Sequence, residues 1–303
     1  MDSAAQTLRD DPPVPDRWPP PGGDDVNDLA SLRAELDHLD DAVHDLLIRR
    51  AEVVQRVAAT KPAGIVALRP GREAAILRRL LARHRGALPP QSIVRIWREL
   101  LAATTAMQGR FAIAVCDTDP ARAFTQLARE HFGALTPLTS HRSPAQAIAE
   151  VSAGRAPVAV LPLPSDTEAV SEAWWTALLQ KDEPRIHVVA RLPFYRPRPE
   201  GAPAVQALVV AAIAPDPSGD DRSLLGLELD PDTSRARLAN SLTAADVSHG
   251  GIILRRDPGA SALALIEVRG LLSEQDPRLV RISAAARAPV VLGGYAVPIG
   301  ISP

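Results

Sequence analysis

The sequence predicts a multidomain chain in which an all-α three-helix domain precedes an α/β layer and a ferredoxin-like βαββαβ domain. Three observations indicate this fold class: a long 3-4 apolar rhythm near the N-terminus, alternating strand and helix patterns from Phe111 onward, and a βαββαβ order from Leu224 onward. At 303 residues the chain has room for two or three domains. The predicted divisions are a disordered tail over 1–25 and domains over 26–110, 111–204 and 205–303.

The first helix is predicted over residues 26–59, where no Gly or Pro interrupts the apolar rhythm. At about 1.5 Å per residue it would be roughly 50 Å long. One small domain cannot bury an apolar stripe of that length, so the helix is expected to pack on a partner. Pro62 and Gly64 end it, and two shorter helices follow over 71–85 and 91–109.

The middle region alternates short apolar strands with amphipathic helices, a pattern typical of a mostly parallel α/β layer. FAIAVCD is its first strand, and a Pro-rich linker over 196–203 closes it. Further strands are predicted at 135–139, 158–163 and 186–194, and helices at 120–131, 143–152 and about 168–179.

The last region begins with a strand over 205–213 and continues, after the turn PDPSGDD, in ferredoxin-like order. Its predicted strands are LLGLEL, 251–256, 262–268 and 290–297, and its predicted helices are 234–246 and about 277–286.

Composition excludes several classes of function. A net charge of -2 offers no electrostatic footprint for nucleic acid, and no apolar run is long enough for a membrane span. The lone Cys116 fits a reducing, cytoplasmic location, and the seven histidines are too scattered for a metal site. Residues 1–25 lack the apolar core of a signal peptide.

Cationic residues on the first helix indicate a pocket for a small dianion. Lys61 is one of two lysines against 32 arginines, and it lies about three turns, or about 16 Å, beyond Arg50 on the same side. Arg33 lies about 25 Å before Arg50, so it cannot reach the same pocket in its own chain, but it could reach the equivalent pocket of an antiparallel partner. The remaining helical arginines are expected to form a solvated surface: Arg49, Arg56, Arg78, Arg79 and Arg83.

Residues 26–110 resemble the all-helical class of chorismate mutase, a three-helix intertwined dimer. The three matching stretches are LASLRAELDHLDDAVHDLLIRRAEVVQRVAATK, LRPGREAAILRRLL and IVRIWRELLAATTAMQ. The resemblance implies a Claisen rearrangement of chorismate to prephenate in aromatic amino acid biosynthesis, with no cofactor. It also implies that Arg50 and the partner's Arg33 clamp the two carboxylates, while Arg72 adds positive charge.

The same resemblance assigns the remaining site residues. Lys61 and Gln108 would donate to the breaking ether oxygen, and Glu73 would accept from the ring hydroxyl. Thr104 stands where the family commonly has serine. The loop before Arg72 departs from the family, because Arg69-Pro70-Gly71 replaces an acidic residue.

The remainder resembles a shortened prephenate dehydratase followed by an ACT-like regulatory domain. FAIAVCDTDPARAFTQLAREHFG and APVAVLPLPSDTE resemble the start of the dehydratase, but Gln206-Ala207-Leu208 replaces its Thr-Arg-Phe triplet and a second lobe is missing. We therefore expect no dehydratase activity. Leu254 to Asp257 is the nearest segment to the ACT signature Glu-Ser-Arg-Pro, so phenylalanine binding and a purely structural remnant both remain open.

Two other functions fit the helical domain. The same fold could act as an isochorismate-pyruvate lyase, although the long C-terminal part argues mildly against it. It could also be a non-catalytic chorismate-type ligand sensor or partner protein, which needs binding without turnover.

Overall fold

The computed structural model describes residues 28–60, 68–117, 121–169, 172–257 and 261–300. The predicted tail and Lys61 lie outside these ranges. Within them, no helix is both long and apolar enough to cross a membrane. The chain divides into two compact units, one ending at Val53 and one starting at Val54.

Helix α1 (Leu29–Ala59) dominates the first unit and confirms the predicted long helix. It has 31 residues and none of them is buried. Its large apolar side chains are more than one-third exposed along the whole length, which leaves an apolar surface suited to another helix. They are Leu29, Leu32, Leu36, Leu39, Val43, Leu46, Leu47, Ile48, Val53 and Val57.

Helices α2 (Pro70–Arg83) and α3 (Pro90–Ala106) confirm the second and third predicted helices. Each has proline in its first turn, where the missing N–H costs no hydrogen bond. Their buried residues, including Leu77 and Val94, pack with Phe194 and Ala296 from the strand region. These two helices therefore bury their apolar faces against the C-terminal part of the chain.

A nine-stranded sheet runs through the second unit in the order β2-β1-β3-β5-β4-β9-β6-β8-β7. The central strands are apolar on both faces because helices and loops cover both sides. The strands are β1 (Ile113–Cys116), β2 (Leu138–His141), β3 (Val158–Pro162), β4 (His187–Leu192), β5 (Ala207–Ala211), β6 (Asp221–Leu229), β7 (His249–Arg255), β8 (Ala262–Arg269) and β9 (Val290–Ala296). The helices between them are α4 (Ala123–Phe132), α5 (Pro144–Ser152) and α6 (Arg235–Ala244).

The expected parallel layer is correct only for part of this sheet. β1 pairs in parallel with β2 and β3, whereas β5 is antiparallel to both β3 and β4. β4 and β9 join the two halves of the sheet in parallel at Val188 and Gly293. Gly293 has a φ of +136°, and a Cβ there would lie 2.2 Å from the Val188 carbonyl oxygen, so this junction requires glycine.

The last four strands lie in the order β9-β6-β8-β7, and β6–β8, β6–β9 and β7–β8 are antiparallel pairs. This is the strand order of the predicted ferredoxin-like unit, and α6 is its first helix. The second predicted helix, about 277–286, is wrong: only Leu279–Arg281 forms a short 3₁₀ helix. The backbone N–H groups of Ala284 and Ala286 donate instead to Ser241 Oγ and the Glu228 carbonyl, which draws the segment along β6.

The predicted α-helix over about 168–179 is also wrong, because the segment forms a 3₁₀ helix over Trp174–Gln180. Trp174 and Trp175 are both buried although they are sequence neighbours. Their indole N–H groups donate to the Pro162 carbonyl at 3.0 Å and to Glu168 Oε1 at 2.8 Å. Both indole rings are thus held by hydrogen-bond partners that lie outside the 3₁₀ segment.

Arg78 corrects the expectation of a purely solvated arginine surface. Its guanidinium donates to Ser218 Oγ and to the carbonyl oxygens of Ser218, Asp220 and Val297, at 2.7–3.1 Å. These acceptors lie in the β5–β6 connection and just after β9. Arg78 therefore anchors α2 to the C-terminal part of the sheet.

We expect Arg78→Ala to lower the free energy of unfolding by about 2 kcal/mol, because several charge-assisted hydrogen bonds are lost together. The matched control is Arg79→Ala, an exposed neighbour on the same helix, which should change stability by less than about 0.5 kcal/mol. The stability change of each variant is measured from its urea unfolding midpoint. Equal effects of the two substitutions would contradict the anchoring role.

Candidate functional site

Helix α1 carries two of the predicted site residues. Arg33 is exposed, whereas Arg50 is partly buried and the loss of solvent lowers the pKa of its guanidinium. They are separated by 17 residues of continuous helix, or about 25 Å, so they cannot contact one small ligand together within a single chain. Lys61, the third predicted cation, lies outside the described residues.

The first turn of α2 holds Arg72 and Glu73, and Asp216 binds its N-terminus. The backbone N–H groups of Gly71 and Arg72 donate to the Asp216 carboxylate at 2.8 and 3.2 Å, and Arg69 Nε donates at 3.0 Å. A Cβ on Gly71 would lie 2.2 Å from the Asp216 carbonyl oxygen. The departure Arg69-Pro70-Gly71 thus fits a helix start capped by a distant carboxylate.

Glu73 forms an ion pair with Arg98 of α3, at 3.0 Å, and the two side chains are only 13% and 5% exposed. The Arg98 guanidinium also lies 4.9 Å from the centroid of the Phe194 ring. Burial raises the pKa of Glu73 despite the opposing charge of Arg98, and burial lowers the pKa of Arg98 to about 10. Sequence analysis missed Arg98, since nothing local distinguished it from the exposed Arg95 on the same helix.

Thr104 and Gln108 lie together at the C-terminal end of α3. The Thr104 hydroxyl is buried and donates to the carbonyl oxygens of Leu100 and Leu101, at 2.8 and 3.1 Å. Gln108 Nε2 donates to the Thr104 carbonyl at 3.0 Å and so caps the last turn. The structure therefore brings Thr104 beside Gln108 and Glu73 beside Arg98, whereas Arg33 and Arg50 belong to the other unit.

A separate cavity of about 150 Å³ is lined by Leu208, from the position of the dehydratase triplet, and by Arg191, Glu267 and Tyr295. Arg191 donates to Glu267 at 2.9 Å, to the Tyr295 hydroxyl at 3.2 Å and to Gln206 at 3.3 Å. Burial and the neighbouring Glu267 raise the pKa of Tyr295, so its hydroxyl stays protonated. Glu267 and Tyr295 are polar groups that the sequence analysis missed because β8 and β9 are distant from β5 in the chain.

Two other kinds of site were considered, a cysteine nucleophile and a metal centre. Burial raises the pKa of Cys116 to about 11, which keeps it a thiol rather than a nucleophilic thiolate at neutral pH. No group of three His, Cys, Asp or Glu side chains in the described part of the chain could hold a metal ion.

Comparison with known proteins shows which protein family the helical part of the chain resembles. Residues 32–109 match the family model of chorismate mutase type II. A bifunctional chorismate mutase/prephenate dehydratase of Pseudomonas aeruginosa is 29% identical over 165 residues, covering 52% of this chain and 45% of the relative. Its counterpart in Neisseria gonorrhoeae is 35% identical over 106 residues, covering 35% of this chain and 28% of the relative.

The chain thus spans less than half the length of these relatives. The structure of a prephenate dehydratase from Streptococcus mutans aligns with 62% of this chain and 99% of its own, with 15% identity and a TM-score of 0.46. The chain therefore contains a type II chorismate mutase domain near its N-terminus and resembles bifunctional chorismate mutase/prephenate dehydratases over about half its length.

Proposed function

We propose that the chain catalyses the rearrangement of chorismate to prephenate in aromatic amino acid biosynthesis, as a cytoplasmic homodimer with two shared active sites. The observation that carries this proposal is the chorismate mutase match over residues 32–109, because that range contains every predicted site residue. The reaction is unimolecular, so the protein needs to hold a reactive conformer and stabilise developing charge rather than supply a cofactor.

The geometry of α1 supports a shared site. Its apolar stripe is exposed from Leu29 to Val57, which suits an antiparallel helix of a second chain. With Arg33 and Arg50 about 25 Å apart on one helix, each could serve a different site of the dimer. Arg50 of one protomer and Arg33 of its partner would then bind the two carboxylates through bidentate pairs.

The chemical step would depend on donors directed at the ether oxygen. Lys61 would supply a compact ammonium, and Gln108 an amide N–H, where negative charge develops. Gln108, Thr104 and Glu73 already make hydrogen bonds within the protein. Substrate binding would therefore exchange these contacts for contacts to chorismate, with Arg72 adding positive charge nearby.

We infer that the chain lacks dehydratase activity. Gln206-Ala207-Leu208 stands in place of the Thr-Arg-Phe triplet, and the Gln206 side chain accepts from Arg191. The Glu267 carboxylate is engaged by Arg191, by the Tyr295 hydroxyl and, at 3.7 Å, by Arg222. A carboxylate held in this way is a poor general acid, and the cavity beside it is small.

The direct test follows chorismate absorbance in the presence of the purified full chain and identifies the product. We expect chorismate to be converted to prephenate, with no phenylpyruvate formed on longer incubation. Salicylate and pyruvate formed from isochorismate would indicate a lyase instead. Chorismate binding without turnover would contradict the enzymatic proposal and favour a ligand sensor.

A further inference from the structure

A second cavity, of about 290 Å³, shares only Arg98 and its neighbour Phe194 with the sites described so far. It is enclosed by the N-terminal half of α3, the C-terminal half of α4 and the segment 193–199 that follows β4. A cleft of this size lies just below the range of about 300–1,000 Å³ that is usual for small-molecule sites. Three arginines, one glutamate, one histidine and one tyrosine provide its ionisable lining groups.

The charges of these groups do not cancel. Arg98 is compensated by Glu73, and Arg198 is compensated by Glu130 and also donates to the Pro203 carbonyl. Arg95 is exposed and makes no ion pair or hydrogen bond with any residue that the structure describes. Burial and the nearby Arg98 lower the pKa of His131 well below its usual value, so that ring is neutral at pH 7.

One unbalanced positive charge therefore lies beside a mainly apolar wall. Val94 and Leu127 are buried beneath the cavity, and Phe194 presents a ring already covered on one side by Arg98. Tyr195 and three prolines of the 193–199 segment complete the wall. Rigid proline and aromatic surfaces favour a flat apolar ligand, because little side-chain entropy is lost when they pack against it.

We propose that this cavity binds a small monocarboxylate with a flat apolar body. The carboxylate pairs with Arg95, and the apolar body lies against Phe194 and the proline-rich segment. A dicarboxylate fits less well, since the other two arginines of the cavity already have carboxylate partners.

Isothermal titration of the full chain with phenylacetate tests the proposal, with the neutral isostere phenylacetamide as the matched ligand. We expect one phenylacetate per chain and at least about tenfold weaker binding of the amide. Arg95→Glu should weaken phenylacetate binding by about tenfold, because an attractive charge becomes repulsive. Arg79→Glu makes the same charge change on an exposed part of α2 outside the cavity, and it should leave binding unchanged.

Three results would overturn the proposal: no binding of phenylacetate, equal binding of the two ligands, or equal losses in Arg95→Glu and Arg79→Glu. Arg33→Ala separates this cavity from the proposed mutase site. Phenylacetate binding that disappears in Arg33→Ala but persists in Arg95→Glu would place the ligand in the mutase site and also refute the proposal.

Discussion

Replacing Lys61 with alanine is expected to lower kcat for chorismate by about a hundredfold or more, with a much smaller change in KM. A single hydrogen-bond donor to an oxygen that gains charge in the transition state typically raises kcat by a factor of about 10²–10³. Because the ether oxygen carries little charge in the ground state, the loss should fall on turnover rather than on binding. Steady-state kinetics on the purified variant measure both constants.

A mixture of two inactive variants tests whether the sites are shared. In the proposed dimer each site combines Lys61 of one chain with Arg33 of the other. Random reassociation of equal amounts of Lys61→Ala and Arg33→Ala makes half of the dimers mixed, and each mixed dimer contains one intact site. We therefore expect about a quarter of wild-type activity to return.

The control mixture combines Lys61→Ala with Arg50→Ala. Both residues would belong to the same chain's half of the site, so every mixed dimer contains two defective sites and no activity should return. Recovery in this control, or no recovery in the first mixture, would contradict the shared-site arrangement. Both mixtures are denatured and refolded together, so that exchange of subunits is not limiting.

Local patterns account for what the sequence predicted well. The apolar rhythm of α1 runs uninterrupted for its full length, and prolines mark the starts of α2 and α3. Such signals depend on residues that are near each other in the chain, so helix positions follow from them. The strand order of the last region was likewise readable from its βαββαβ pattern.

Contacts between distant residues account for what the sequence could not predict. Asp216 caps α2 across 145 residues, and the Arg78 bond to Val297 spans 219 residues. Neither partner carries a local signal, so Arg78 looked like any other arginine on a solvated helix. The 3₁₀ segments were mispredicted for a related reason, because partners outside each segment determine its hydrogen bonds.

Replacing Arg98 with leucine is expected to destabilise the protein by about 3–5 kcal/mol at pH 7, because it leaves the buried Glu73 carboxylate without its partner. The exposed pair of Arg155 and Glu150 is the matched control. Arg155→Leu should change the urea midpoint little, since water solvates the remaining carboxylate. If the two variants lose similar amounts of stability, burial of the Glu73 carboxylate is not the cause of the loss in Arg98→Leu.

The pH dependence of the Arg98→Leu variant distinguishes an unpaired charge from lost packing. Burial already raises the pKa of Glu73, and removing Arg98 should raise it further. A carboxyl whose folded-state pKa exceeds its unfolded value of about 4.3 stabilises the fold when protonated, and this stability is lost as the pH rises through the folded pKa. The variant should therefore approach wild-type stability as the pH falls from 7 to 5.

A double variant completes this test. In Glu73→Gln/Arg98→Leu neither position of the pair carries a charge, so its stability relative to wild type should depend much less on pH over the same range. We expect it to be more stable than Arg98→Leu at pH 7, because an uncharged amide costs less to bury than a lone carboxylate. If both variants lose the same stability at pH 7 and neither recovers at pH 5, the role of Arg98 is packing against Phe194 rather than neutralising Glu73.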